Sequence, residues 1–274
     1  LRDESFLCKR IINTTKMRHA ILIMAHKDIE FLCRVVEYFD QCCDVFIHLD
    51  RKMQVESKDL DVLRGYEQVK CVSRKYEVNW GGTSVLDCEL YLLNMAMSHS
   101  DADYFHLLSG QDYPVLPLQD FLDFFTQNAG KEYLQYVRLP HPRWEDSTYW
   151  RFQYYYPYDS ASDKKNPRRW VRDQVKLQHD KGMKRPIPDE FDHLYGSSQW
   201  FSITRKAVSA LLNYTRQSPS LYQQFWMTFA PEETYVATVL VNLLGKENIV
   251  PYNLRFIYWK YENGNQKYRF RRFK

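Results

Sequence analysis

Residues 20–24 read Ala-Ile-Leu-Ile-Met, an unbroken apolar run. A strand with one wet face alternates apolar and polar residues. A continuously apolar strand is buried on both faces, which happens in a parallel sheet covered by helices on each side. The residues that follow keep to that scheme. Ile29–Phe39 places Phe31, Leu32, Val35, Val36 and Phe39 on one helical face, and Asp44–Asp50 (Asp-Val-Phe-Ile-His-Leu-Asp) reads as a second strand. Val69–Val72 predicts a third strand and Ser84–Met97 a helix. Tyr104–Ser109 predicts another buried strand, running into a turn at 110–114. Helix Leu118–Asn128 and the extended segment Glu132–Leu139 come next, then strand Gln199–Ile203 and helices Arg205–Tyr214 and Pro231–Leu244. This order predicts an α/β fold with one domain over 17–274, a mostly parallel central sheet and helices on both faces.

The pattern dissolves between Pro140 and Pro188. Tyr149, Trp150, Phe152, Tyr154, Tyr155, Tyr156 and Tyr158 crowd there ahead of a basic patch, Lys164–Arg169. A long loop inside a domain is usually functional or disordered, and this aromatic density argues against disorder. Residues 1–16 are charged and interrupted, so they are expected to form an extension outside the fold rather than a secretory signal.

Composition excludes several classes. With 26% charged and 45% hydrophobic residues the chain is not a disordered one, and its longest apolar runs are too short to cross a bilayer. A net charge of +4 is too balanced to indicate nucleic acid. All six cysteines lie in the first third without a Cys-x-x-Cys spacing, so reduced, mostly buried thiols are expected, with no zinc site and a cytosolic setting. Aromatics make up 16%, suiting either a Tyr-rich core or stacking on sugar rings and nucleobases.

Ligands of α/β sheets bind at the carboxyl ends of parallel strands. Three loops there carry polar groups: His26-Lys27, Asp50-Arg51-Lys52 and Gln111-Asp112. Asp101-Ala102-Asp103 has an Asp-x-Asp spacing but precedes its strand, which puts it at the opposite edge and leaves no metal site in view. Pro231-Glu232-Glu233-Thr234 sets two carboxylates at a helix start. Adjacent helical residues point about 100° apart, so one can serve as a general base while the other caps the helix or faces solvent.

Four segments stand in an order that marks a resemblance: His-Leu-Leu-Ser-Gly-Gln-Asp-Tyr-Pro (106–114), Gly-Ser-Ser-Gln-Trp-Phe-Ser-Ile-Thr-Arg (196–205), Ala-Pro-Glu-Glu-Thr (230–234) and Arg-Phe-Ile-Tyr-Trp-Lys-Tyr-Glu-Asn-Gly (255–264). Together they resemble the core-2/I-branching β-1,6-N-acetylglucosaminyltransferase and peptide O-xylosyltransferase family (glycosyltransferase family 14), with a bacterial member expected. The resemblance implies a GT-A-like fold and an inverting, metal-independent transfer, most readily of N-acetylglucosamine in β-1,6 linkage, from a UDP-sugar to a glycan hydroxyl. It implies Glu233 as catalytic base. Ile23, Asp50, Trp80 and Asp112 would bind the donor, and Gln135, Trp150, Arg151, Trp259 and Tyr261 the acceptor. The family's terminal cations for the diphosphate correspond to Arg271 and Arg272. Only ten residues, Asn265–Lys274, follow Gly264, so this segment is either shortened or lacks a loop.

No cofactor beyond the UDP-sugar co-substrate is expected. The expected setting is cytoplasmic, with room for peripheral contact at the inner membrane face, or the Golgi lumen if the source is a eukaryote. A xylosyl- or glucosyltransferase of the same fold competes with this reading. So does a non-catalytic carbohydrate-binding module. A glycoside hydrolase would need a second carboxylate across the cleft, and Asp112 is the available partner for Glu233.

Overall fold

The structure is a computed structural model that describes residues 17–39, 42–141, 149–161, 163–257, 259–262 and 265–268, the last two stretches by backbone alone. The apolar run forms β1 (His19–Ala25), followed by α1 (Ile29–Tyr38), β2 (Cys43–Leu49), α2 (Ser57–Arg64) and β3 (Val69–Ser73). Then come α3 (Thr83–His99), β4 (Tyr104–Ser109), α4 (Leu118–Gln127), β5 (Glu132–Leu134) and β6 (Val137–Arg138). The second half adds α5 (Trp150–Gln153), α6 (Pro167–Asp180), β7 (Tyr195–Gly196), β8 (Phe201–Thr204), α7 (Arg205–Gln217), α8 (Pro219–Phe225), α9 (Glu232–Leu244), β9 (Ile249–Val250), β10 (Trp259–Glu262) and β11 (Asn265–Tyr268).

Seven strands form the central sheet in the order β3-β2-β1-β4-β8-β5-β9. β1 is parallel to β2 and β4, and β2 to β3. β8 is antiparallel to both β4 and β5, and β9 is parallel to β5. Only β8 therefore runs against its neighbours. The carboxyl ends of the other six strands, and the entrance to β8, meet at one edge.

The unbroken apolar run has the cause expected of it. Ala20 and Leu22 face a core shared with Phe46 of β2, Phe105 of β4 and the buried sides of α3, α7 and α9. Ile21 and Ile23 face a second core with Val45, Ile47, Leu32, Val35, Val36 and Leu63, beneath α1 and α2. Both faces are covered, and each large aliphatic side chain buried in this way contributes about 1.5–3 kcal/mol. α4 closes a third cluster with Phe125 against Tyr104 and Tyr133. The cysteines include Cys43 and Cys88, which are buried, and Cys33, Cys42 and Cys71, which are half-buried, so burial is less complete than the sequence suggested. No helix among the described residues is long and apolar enough to cross a membrane.

The segment read as an aromatic loop is corrected by the structure. It contains α5, a short 3-10 turn over Tyr158–Ser160 and the fourteen-residue α6. α6 buries only Val171, so its polar surface hid the helical period. Its start was nevertheless written locally, with Asn166 accepting from Arg169 N–H at 3.1 Å and Pro167 in the first turn. Of the two uses open to these aromatics, packing into a core accounts for most of them. Tyr154 and Tyr156 are buried, and Trp150, Tyr158 and Trp170 pack with Phe229 in a small core of their own.

Candidate active site

Backbone hydrogen bonds hold the loops at the common strand edge. Asp50 N–H donates to the Ala25 carbonyl at 2.8 Å, Gly110 N–H to Met24 at 2.8 Å and Arg51 N–H to Tyr76 at 2.9 Å. Glycine is required at 110, because a Cβ there would lie 2.5 Å from the Ala25 Cβ. Ser197, at the entrance to β8, donates its N–H to the Glu233 carbonyl at 2.7 Å. That contact fixes the start of α9 at this same edge.

Glu233 meets Arg151 there. The Arg151 Nη1 lies 2.8 Å from Glu233 Oε2, the arginine side chain only 6% exposed and the glutamate 34%. The guanidinium also lies 4.9 Å from the Phe229 ring centre, and Phe229 N–H donates to the Arg151 carbonyl. Desolvating an arginine is costly unless a carboxylate accompanies it, so packing and pairing together hold this geometry. Arg151 was expected on the acceptor side. Its guanidinium lies against the candidate base, paired there with a carboxylate that offsets the cost of its burial.

Glu232 overturns the expectation that the second carboxylate caps or faces solvent. It is 6% exposed, and its Oε2 has no hydrogen-bond partner. Burial, and next the neighbouring Glu233 carboxylate, push its acid up to about 8. Glu89 on α3 is fully buried, has neither carboxyl oxygen partnered, and is likewise raised by burial and by Glu232. Uncharged carboxyls fit such surroundings; ionised ones do not.

The wall beside Glu233 begins at the loop before α3. Gly81 holds φ +79°, and its carbonyl accepts from Ala230 N–H. Asp159 caps α3 from outside the helix, accepting from Ser84 N–H at 3.1 Å and the Ser84 hydroxyl at 2.5 Å. A Cβ at residue 82 would strike that carboxylate. Trp80 is 53% exposed and touches Tyr158 and Phe229 edge-on, with ring centres 5.9 and 5.4 Å away. A contact chain thus links Trp80 through Phe229 to Arg151 and Glu233.

The other expected residues divide. Asp50 is 5% exposed and accepts from Lys52 N–H at 2.8 Å, with Lys52 Nζ 3.4 Å from its second oxygen, so it braces its own turn. Asp112 Oδ2 accepts from Ser109 N–H at 2.8 Å. Burial raises its acid while Arg255 lowers it. That turn role weakens it as the second carboxylate of a hydrolase. Ile23 is a correction: at 0% exposure within the α1 core it cannot touch a nucleobase through its side chain. Gln135 is exposed just past β5, at the ligand edge, and Trp150 lies 5.2 Å from Phe229, ring centre to ring centre. Trp259 and Tyr261 fall in β10, whose backbone pairs with β11 and whose side chains lie outside the described residues, as do Arg271 and Arg272 and the 1–16 extension. Asp103 sits at the opposite edge, accepting from Arg18 N–H at 3.0 Å. Among the described residues, no three His, Cys, Asp or Glu side chains form a metal-binding group.

Arg255 escaped the sequence reading. It heads the 255–264 segment, and its guanidinium donates to the Leu107 and Phe201 carbonyls, each at 2.9 Å, stitching β4 to β8. Asp159 and Glu89 escaped too, since nothing local distinguishes a capping aspartate in another segment or a lone glutamate inside an apolar helix.

The family model described as "Core-2/I-Branching enzyme" matches residues 20–273. Curated relatives include Xylosyltransferase 2 of Homo sapiens, 26% identical over 225 residues, and Xylosyltransferase 1 of Mus musculus, 27% identical over 231 residues. The match covers 80% of this chain in both cases, and 24% and 21% of those proteins, so the chain spans about a quarter of their length or less. Among solved structures, S. aureus TarS 1-349 in complex with UDP overlaps 43% of this chain and 35% of its own, with TM-score 0.31 and 16% identity. The 4-diphosphocytidyl-2C-methyl-D-erythritol synthase of Anaerococcus prevotii overlaps 77% of this chain and 83% of its own, with TM-score 0.36 and 11% identity. These overlaps are too slight to argue from.

Proposed function

The chain belongs to the core-2/I-branching enzyme family, and on that premise we propose that it is a glycosyltransferase that moves a sugar from a UDP-sugar to a hydroxyl of a glycan or peptide acceptor, with inversion. The observation that carries this reading is Glu233, a partly exposed carboxylate held at the strand edge by a buried arginine. In the proposed step Glu233 accepts the hydroxyl proton and the freed oxygen forms a bond to the anomeric carbon. The bond from that carbon to the diphosphate breaks, its electron pair leaving with UDP. Arg151 is a positioning residue that orients the base. General-base assistance of this kind is worth about 10²–10⁴-fold.

Asp50, Trp80 and Asp112 are proposed on the donor side, with Arg271 and Arg272 as counter-charge for the diphosphate, and Gln135, Trp150, Trp259 and Tyr261 toward the acceptor. The family match runs through residue 273 and so takes in both tail arginines. Metal independence is part of the proposal, because Asp103 is engaged with Arg18 at the far edge. Turnover is expected to persist in excess EDTA, and activity that vanishes and returns with Mn²⁺ would refute this.

Two donor sugars compete. The resemblance carried by the four sequence segments favours N-acetylglucosamine in β-1,6 linkage, while relatives named xylosyltransferases favour xylose. Protein-dependent UDP release from UDP-N-acetylglucosamine, UDP-xylose and UDP-glucose, measured side by side, decides between them. Release from none, with or without acceptors, would reject the transferase reading in favour of a binding module.

A further inference from the structure

A cavity of about 340 Å³ opens between the loop after β2, the loop before α3 and the start of α6. Its wall carries Lys52, Trp80, Tyr158, Lys165 and Arg168, and no Asp or Glu. The Arg168 guanidinium lies 4.4 Å from the Trp80 ring centre. Lys52 is held in place by the Val78 carbonyl at 2.7 Å and Asn79 Oδ1 at 2.8 Å, with Asp50 as its counter-ion. Lys165 and Arg168 form no ion pair with any described residue. Two uncompensated cations thus face a concave space beside a half-exposed indole. A surface run of cations is ordinarily splayed into water, whereas here one is stacked on a ring and the others line a shared recess.

We propose that this cavity is an oxyanion site that takes the phosphate of a phosphate-bearing ligand, with Arg168 and Lys165 as its counter-charge and Trp80 as the surface for the attached ring. Arginine supplies a planar fork for phosphate oxygens, and stacking on Trp80 keeps that fork in place when the site is empty. Asp50 shares the Lys52 loop, and Phe229 joins Trp80 to the Glu233 corner, so the site adjoins the one proposed for the donor. The diphosphate of a UDP-sugar is the first source of the phosphate; a phosphorylated acceptor glycan is the second. Only the first of these rests on the transferase reading.

Calorimetry on the full chain with UDP, uridine and inorganic pyrophosphate tests the site. The variants are K165Q, R168Q and their double, with K176Q, two turns further along α6, as control. For the donor source, the double variant is expected to lose UDP affinity by about 10–100-fold, with uridine affinity unchanged and K176Q like the parent. Pyrophosphate binding that weakens while UDP binding stays as it was keeps the oxyanion site and assigns the phosphate to the acceptor. Unchanged affinity for UDP and pyrophosphate in the double variant overturns the proposal, as does a parent chain that binds neither. If UDP binds the parent no tighter than uridine does, while pyrophosphate binding depends on Arg168, the donor reading fails and the cavity stands. Melting temperatures of all variants should match, since both side chains are exposed.

Discussion

Replacing Glu233 with glutamine separates chemistry from architecture. The amide oxygen can still accept from Arg151 Nη1, now 2.8 Å from the carboxylate, but it cannot take a proton from the acceptor. Turnover should fall by about 10²–10⁴-fold with UDP affinity kept. The cost in stability is bounded by exposure. A fully buried pair broken on one side costs about 3–5 kcal/mol, and exposed pairs are worth about 0–1 kcal/mol. With the glutamate 34% exposed and its acceptor oxygen retained in the glutamine variant, the loss should stay within about 1 kcal/mol. Glu233→Ala leaves the buried guanidinium without that oxygen and should cost about 1–3 kcal/mol, roughly 2–5 °C in Tm at this chain length. UDP release in the presence of acceptor gives turnover, and calorimetric melting gives stability. Near-parental turnover in Glu233→Gln would refute the base assignment. So would an equal loss in Glu232→Gln.

Three further outcomes follow from particular contacts. Glu232 has its acid raised by burial to about 8 from the ordinary 4.5, so the folded chain favours the protonated form. Its contribution is fully present below pH ~4.5 and is lost as pH climbs toward 8, so the gain in Tm of Glu232→Gln over the parent should widen across that interval; a gap independent of pH would contradict it. Gly110→Ala forces a Cβ to 2.5 Å from that of Ala25, and denaturant unfolding should show a loss of about 1–3 kcal/mol, with an unchanged midpoint as the refuting result. Substituting Arg271 and Arg272 together with glutamine should weaken UDP binding by about 1–3 kcal/mol and spare uridine, and equal UDP affinity would refute their role at the diphosphate.

The sequence by itself determined the sheet and its layers. Burial on both faces requires an unbroken apolar strand, and that requirement is written in five consecutive residues, Ala20–Met24, before any fold exists. The predicted strand Tyr104–Ser109 matches β4 end to end, and Arg205 and Leu118 open their helices as expected, because apolar period and turn chemistry are local properties. Glu233 was legible from a proline-led helix start together with the resemblance. α6 was not, since a helix that buries one residue leaves no apolar stripe to read. Tertiary structure alone decided the rest. It reversed β8, brought Arg151 across 82 residues to Glu233, buried Glu232 opposite Glu89, and turned Asp159 into a cap for a helix 75 residues away. It also closed a recess around Trp80 with cations from the loop after β2 and from α6. Each of these depends on which side chains lose water together. A desolvated charge needs its partner within a few ångströms in space, and spacing along the chain carries no record of that distance.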